Sequence, residues 1–195
     1  MIKTVPYLAE AAIEKDAESL LSEFSDARDV VIEAPIPIEE IIEKYLKIGI
    51  EFDDLDSRFG VEKFFDTGDP DILGAMYFDK KRIAISEHLV PEENPNMEGR
   101  YRFTLAHEGG GHWRLHRHLL ERDAGQWSLF GREAAPSVIC RSNQRKARVE
   151  WQADYYASCL LMPQNLVRAA WAEAFPDRKP RVLAPEKSVD HSLVE

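Results

Sequence analysis

The chain has 195 residues, room for one domain with a short accessory segment and for a core that needs no disulfide staples. Hydrophobic residues at 44% and charged residues at 31%, with 9 Phe and 4 Trp, exclude a disordered chain. The 35 acidic residues against 25 basic ones leave a net charge of −10, which speaks against binding to nucleic acid or to an anionic membrane surface and for a basic partner.

Tyr7 to Phe24 carries Leu8, Ala11, Ala12, Leu20 and Leu21 at helical intervals and predicts an amphipathic helix that packs on the rest. Ala34-Pro35-Ile36-Pro37 cannot lie inside a helix, so a second helical pattern starts at Ile38 and runs to Leu46. An acidic loop around Asp53, Asp54 and Asp56 leads into two apolar runs, Ile72 to Phe78 and Arg82 to Ser86, which bracket Asp79-Lys80-Lys81 and predict a β-hairpin. Asn96 is placed to cap a helix from about Met97 to about Leu120. Residues 121 to 144, with Gly125, Gly131 and Pro136, read as irregular. A second strong helix is expected from Gln144 to Met162, with Val149, Ala153, Tyr156, Ala157 and Leu160 as its core stripe. A shorter helix follows from Asn165 to Ala174, then a polar tail from Pro176. No stretch is long and apolar enough to span a bilayer. The first residues lack the basic start and apolar block of a secretory signal, and Cys140 and Cys159 make no disulfide framework. A cytoplasmic protein is expected.

Four of the six histidines fall in His107-Glu108-Gly109-Gly110-Gly111-His112-Trp113-Arg114-Leu115-His116-Arg117-His118. In zinc hydrolases two histidines four apart share a helix face and bind the metal, and the glutamate after the first activates water. His107 and His112 are five apart, so a regular helix would point them about 140° away from each other. One extra residue in a π-type turn restores the facing geometry, and three consecutive glycines make that distortion sterically easy. Two other readings stay open: His112 and His116, four apart, as the metal pair of a regular helix, or a surface helix with solvated histidines. A third ligand is available on the following helix, where Glu150 and Asp154 lie on one face beside the apolar stripe. A glutamate there can bind zinc while an aspartate four residues later orients the first histidine. An exposed acidic face is the bland alternative.

The segments Arg102-Phe103-Thr104-Leu105-Ala106-His107-Glu108, Gly111 to His116, Glu150-Trp151-Gln152-Ala153-Asp154-Tyr155-Tyr156-Ala157 and Leu160-Leu161-Met162-Pro163 together resemble the ImmA/IrrE-type metallopeptidases. The resemblance covers roughly residues 30 to 165 and implies an α+β, zincin-like fold, mostly helical with a small β-hairpin or three-stranded sheet beside the metal-site helix. It divides the chain into an N-terminal helical segment (1–30), the metallopeptidase domain (31–175) and the tail (176–195). It further implies Zn2+ held by His107, His112 and Glu150, with Glu108 as general base and Asp154 behind His107. The implied activity is endopeptidase cleavage of a protein, a basic helix-turn-helix repressor being the expected partner. A substrate strand is expected to add to one strand of the 72–86 hairpin. The family motif is usually His-Glu-x-Gly-His, so the additional glycine keeps a second function class open: a degenerate module that binds a regulator without cutting it. Cys140, just before the second ligand helix, is read mainly as a small buried thiol; as a zinc-blocking latch it would have to sit in a mobile loop.

Overall fold

The computed structural model describes residues 5–60, 72–124, 138–141 and 148–177. Two compact units divide the chain, Met1–Leu161 and Met162–Glu195.

In the first unit, helix α1 spans Glu10–Arg28, starting later and ending later than its apolar spacing predicts, because Asp29 in the left-handed conformation closes it. Its inward face is Ile13, Ala17, Leu20, Leu21 and Phe24. The helix expected from Ile38 opens with one α turn, Ile38–Glu40, and widens to π winding over Ile41–Tyr45. The segment read as an acidic loop is instead a strand, β1 (Gly49–Asp53), followed by the short helix α3 (Leu55–Arg58), with Ile38–Glu40 counted as α2. Acidic residues conceal this strand because their carboxylates have local work. Asp54 caps α3 by accepting from the Ser57 N–H at 3.0 Å, and the buried Asp56 accepts from the Ile72 N–H at 2.9 Å. The predicted hairpin is present as β2 (Ile72–Tyr77) and β3 (Arg82–Ser86), antiparallel, with Gly74 opposite Ile85 and Ala75 opposite Ala84.

The sheet has four strands in the order β1-β3-β2-β4, where β4 is Val138–Arg141. Both hairpin strands are therefore interior, one flanked by the parallel β1 and the other by the antiparallel β4. The expectation that a substrate strand adds to β2 or β3 is corrected on this ground: their N–H and C=O groups already have neighbours on both sides. Part of the region read as irregular is thus strand. Cys140 belongs to β4, paired opposite Gly74, so it is not on a mobile loop; its side chain lies outside the described residues.

One long helix crosses behind the sheet. It begins as α4 (Glu98–Leu105), passes through an eleven-residue π segment (Ala106–His116) and returns to α winding in α5 (Arg117–Ala124). Asn96 does not cap it; the helix is entered through a 3₁₀ turn, Pro95–Met97, which contains that residue. Helix α6 (Arg148–Leu161) packs along the π segment with the predicted stripe inward: Val149, Ala153, Tyr156, Ala157 and Leu160 are all buried. Residues 144–147, read as the start of this helix, lie outside the described residues. In the second unit, α7 (Gln164–Ala174) matches the predicted short helix, and the tail from 178 on is likewise outside the described residues. No helix among the described residues is long and apolar enough to cross a membrane.

Each glycine of the triplet meets a different neighbour. A Cβ on Gly109 would stand 2.7 Å from Ile42 Cδ1, one on Gly110 2.7 Å from the Tyr156 ring, and one on Gly111 2.4 Å from Ala153 Cβ and 2.5 Å from its Cα. Helix propensity alone predicts that alanine at any of the three stabilises by about 1 kcal/mol. Packing predicts the opposite, with an order. Gly111→Ala should cost about 3 kcal/mol or more, since it collides with a helix backbone, and Gly109→Ala about 1 kcal/mol, since the end of Ile42 can turn away. Chemical denaturation of the two variants checks this; equal or stabilising effects would show that the glycines are not needed for packing.

Candidate metal centre

The π winding turns the five-residue spacing into a shared face. The rings of His107 and His112 stand 4.6 Å apart, nearly perpendicular at 82°. Both are buried, as is Glu108, and one potential ligand atom from each of the three lies within 4.8 Å of the others. Helix α6 adds the carboxylates. Glu150 Oε2 is 3.2 Å from His107 Nε2 and Glu150 Oε1 is 3.7 Å from His112 Nε2, while His107 Nδ1 donates to Asp154 Oδ1 at 2.9 Å. The structure therefore brings together the five residues of the implied centre, His107, Glu108, His112, Glu150 and Asp154.

His116 is placed differently. Its Nε2 bonds Gln152 Oε1 at 2.8 Å and its ring centroid is 5.9 Å from that of His112. His118 is exposed. Sequence reading passed over Gln152, a fully buried amide on α6, and Gly74, where a Cβ would lie 3.2 Å from Glu108 Oε1 and 2.7 Å from Thr104 Cγ2. A polar residue on the apolar stripe was the available signal for the first. Only the fold, which lays β2 across the helix, reveals the second.

The electrostatics of these groups point one way. Burial raises the Glu108 carboxyl to about 8, with His107 opposing and Glu150 reinforcing the shift. Burial also lowers His112 to about 4, so its imidazole is neutral. At Glu150 burial pushes the pKa up, but the adjacent His107 imidazole and then that of His112 outweigh it and hold the carboxyl well below its usual range. Among the described residues, both oxygens of Glu108 and both nitrogens of His112 are buried without a hydrogen-bond partner. Buried polar atoms are rarely left so. Imidazole nitrogen and carboxylate oxygen around one point are the donor set of a borderline divalent cation such as zinc, and binding one would satisfy His112 Nε2. The residues present thus fit a metal.

Fold and centre together define a metallopeptidase-like module of the zincin kind, a helix carrying two histidines and a glutamate packed on a small sheet. The family model described as the IrrE N-terminal-like domain, Peptidase M78, matches residues 43–193, and the chain belongs to that family. Searches of curated proteins and of solved structures give no match.

The raised Glu108 pKa has a consequence for the metal-free chain. In the unfolded state the group titrates near 4.5 and in the folded state near 8, so between those values the folded state holds more protons and stability falls as pH rises. Glu108→Gln removes this titration. The variant should match the wild type in stability below about pH 4.5 and become progressively more stable than it up to about pH 8. Metal-free unfolding curves across that range test it, and a constant difference between the two proteins would show that Glu108 is not held protonated by burial.

Proposed function

We propose that the chain is a zinc-dependent endopeptidase in which His107, His112 and Glu150 hold the metal, Glu108 is the general base and Asp154 orients His107. The observation that carries this reading is the convergence of two imidazoles and an ionised carboxylate on one buried point, beside a second carboxyl without hydrogen-bond partners among the described residues. Two histidines and one glutamate leave a coordination position open, the pattern of catalytic and not of structural zinc.

Bound there, zinc would supply Lewis acidity, acidifying a water molecule and polarising the scissile carbonyl. Glu108 takes the proton of the attacking water and hands it to the leaving amine. A carboxylate whose pKa is raised by burial is the stronger base once ionised, which suits the first half of the task. Asp154, accepting from His107 Nδ1–H, keeps the lone pair of Nε2 directed at the centre. The substrate segment is proposed to add to a sheet edge. Among the described residues the edges are β1 and β4, and β4 adjoins β2, whose Gly74 touches Glu108. A basic DNA-binding repressor is the proposed substrate, and the net charge of −10 suits steering of such a partner. The extra glycine, the sequence ground for a module that binds without cutting, loses that force because the π winding absorbs it.

Purified without chelators, the wild type should carry about one zinc per chain. Glu108→Gln should retain that zinc and lose cleavage of the partner by about 10²- to 10⁴-fold, whereas His112→Ala should lose both metal and cleavage. Cleavage by Glu108→Gln at the wild-type rate removes Glu108 from the mechanism. If neither wild type nor variant cuts and both bind the partner equally, the chain is a binding module.

A further inference from the structure

We propose that His116 is a positioning residue for His112, serving the second ligand as Asp154 serves the first; the proposal rests on the metal reading of the site. Its basis is a chain of buried polar atoms whose donor and acceptor roles are fixed from one end. The backbone oxygen of Pro6 can only accept, so Gln152 Nε2, 3.0 Å away, donates to it. The amide of Gln152 is thereby oriented with Oε1 toward His116 Nε2 at 2.8 Å, and that oxygen can only accept. His116 Nε2 therefore carries the proton. Its Nδ1 then carries a lone pair, and that atom is buried with no hydrogen-bond partner among the described residues.

His112 presents the complementary need. For Nε2 to face the centre as a ligand, the proton must reside on Nδ1, and a buried N–H requires an acceptor. His107 finds one in Asp154. His112 Nδ1 has none among the described residues, and the neighbouring ring with a spare lone pair is His116, at 5.9 Å between centroids. A direct N–H···N bond between two imidazoles corresponds to about 5 Å between centroids. The two rings thus stand within about 1 Å of that contact, a gap closed by small rotations as Nε2 is drawn toward a metal. The resulting sequence, His112 Nδ1–H to His116 Nδ1, His116 Nε2–H to Gln152, Gln152 to Pro6, ties the second ligand through α6 to the segment before α1. It also gives His116 a task other than ligation, since its Nε2 is spent on Gln152.

Two measurements test this. Long-range ¹H–¹⁵N spectra of the histidine rings should show His116 protonated on Nε2 and bare on Nδ1, both metal-free and with zinc added, with no metal-induced change at either of its nitrogens as large as that at His112. A proton on His116 Nδ1, or a ligand-like shift at His116, overturns the proposal. Zinc titration of variants gives the second reading. His116→Phe, which fills the space and removes both nitrogens, should weaken zinc binding by about 10- to 100-fold, and His116→Gln, whose oxygen can accept from His112, should recover most of the loss. A purely structural role would lower the melting temperature of both without this rescue of affinity. Unchanged zinc affinity in His116→Phe refutes the positioning role while leaving the metal site standing. No zinc uptake by the wild type would instead bring down the site reading and this proposal with it. Should His116→Phe fail to fold, the spectra of the unaltered chain decide.

Discussion

The widened turn between His107 and His112 is the constraint from which the rest of the centre follows. An α-helix gives each backbone group its partner four residues away and packs its own axis; a π segment gives up part of that packing and is rarely longer than one turn. Here it extends over Ala106–His116, so its stability must come from what surrounds it. The three glycines supply the means. Ile42, Tyr156 and Ala153 come closer to the helix axis than any side chain would permit, and their contacts replace what the winding forfeits. The approach at Gly111 has a second effect. Ala153 lies between Glu150 and Asp154 on α6, so seating it against Gly111 delivers both carboxylates to the two imidazoles. One close helix contact thus produces the winding and the ligand set together.

Helix α1 braces the same segment from its other side. Arg114 donates to Glu23 with both terminal nitrogens, at 2.9 and 2.7 Å, and its Nε donates to Asp16 at 3.2 Å. Tyr156, the residue under Gly110, donates its hydroxyl to that same Asp16 oxygen at 2.9 Å, and Tyr45 donates to Glu23. Partly exposed ion pairs of this kind contribute modest stability. Their value here is directional. Arg114 lies between His112 and His116, and slipping the helix back to α register would rotate it about 100° away from α1. The apolar face of Ile13, Leu20 and Phe24 supplies the adhesion, and the guanidinium fixes the register. Residues 10–28 precede the family match at 43, so this brace is carried by a part of the chain that the family pattern does not describe.

What the sequence reveals and what it hides have physical causes. The widened helix is legible because histidines five apart on a regular helix serve no common purpose and Gly109 to Gly111 have no use in one. The inward stripe of α6 is legible because it depends on local periodicity alone. Strands β1 and β4 are not. Gly49–Asp53 is a half-exposed edge strand with two acids, and Val138–Arg141 has only four residues, so each is defined by the partner it pairs with and not by its own pattern. The same blindness produced the mistaken docking strand, since whether a hairpin is interior or at an edge depends on segments distant in sequence. His116 shows the limit most clearly. Its spacing from His112 suggests a ligand pair, and only the position of Gln152, brought in by α6, turns its Nε2 elsewhere.

The two glutamates of the centre illustrate how burial divides identical chemistry into different tasks. Glu150 borders the helix surface and lies against both imidazoles, which keep it ionised despite its burial. Glu108 lies wholly inside, close against Gly74 and without a donor among the described residues. The first is a standing negative charge, suited to a cation; the second is a carboxyl whose ionisation depends on what is bound nearby. A dication bound beside it would lower the Glu108 pKa through space, so under the proposed function the carboxyl would become a proton acceptor only once the metal is in place. A carboxylate already ionised in the metal-free chain would offer no such coupling. Under the proposed function, the depth of Glu108, and hence the glycine at position 74 that makes room for it, would serve that coupling and not packing alone.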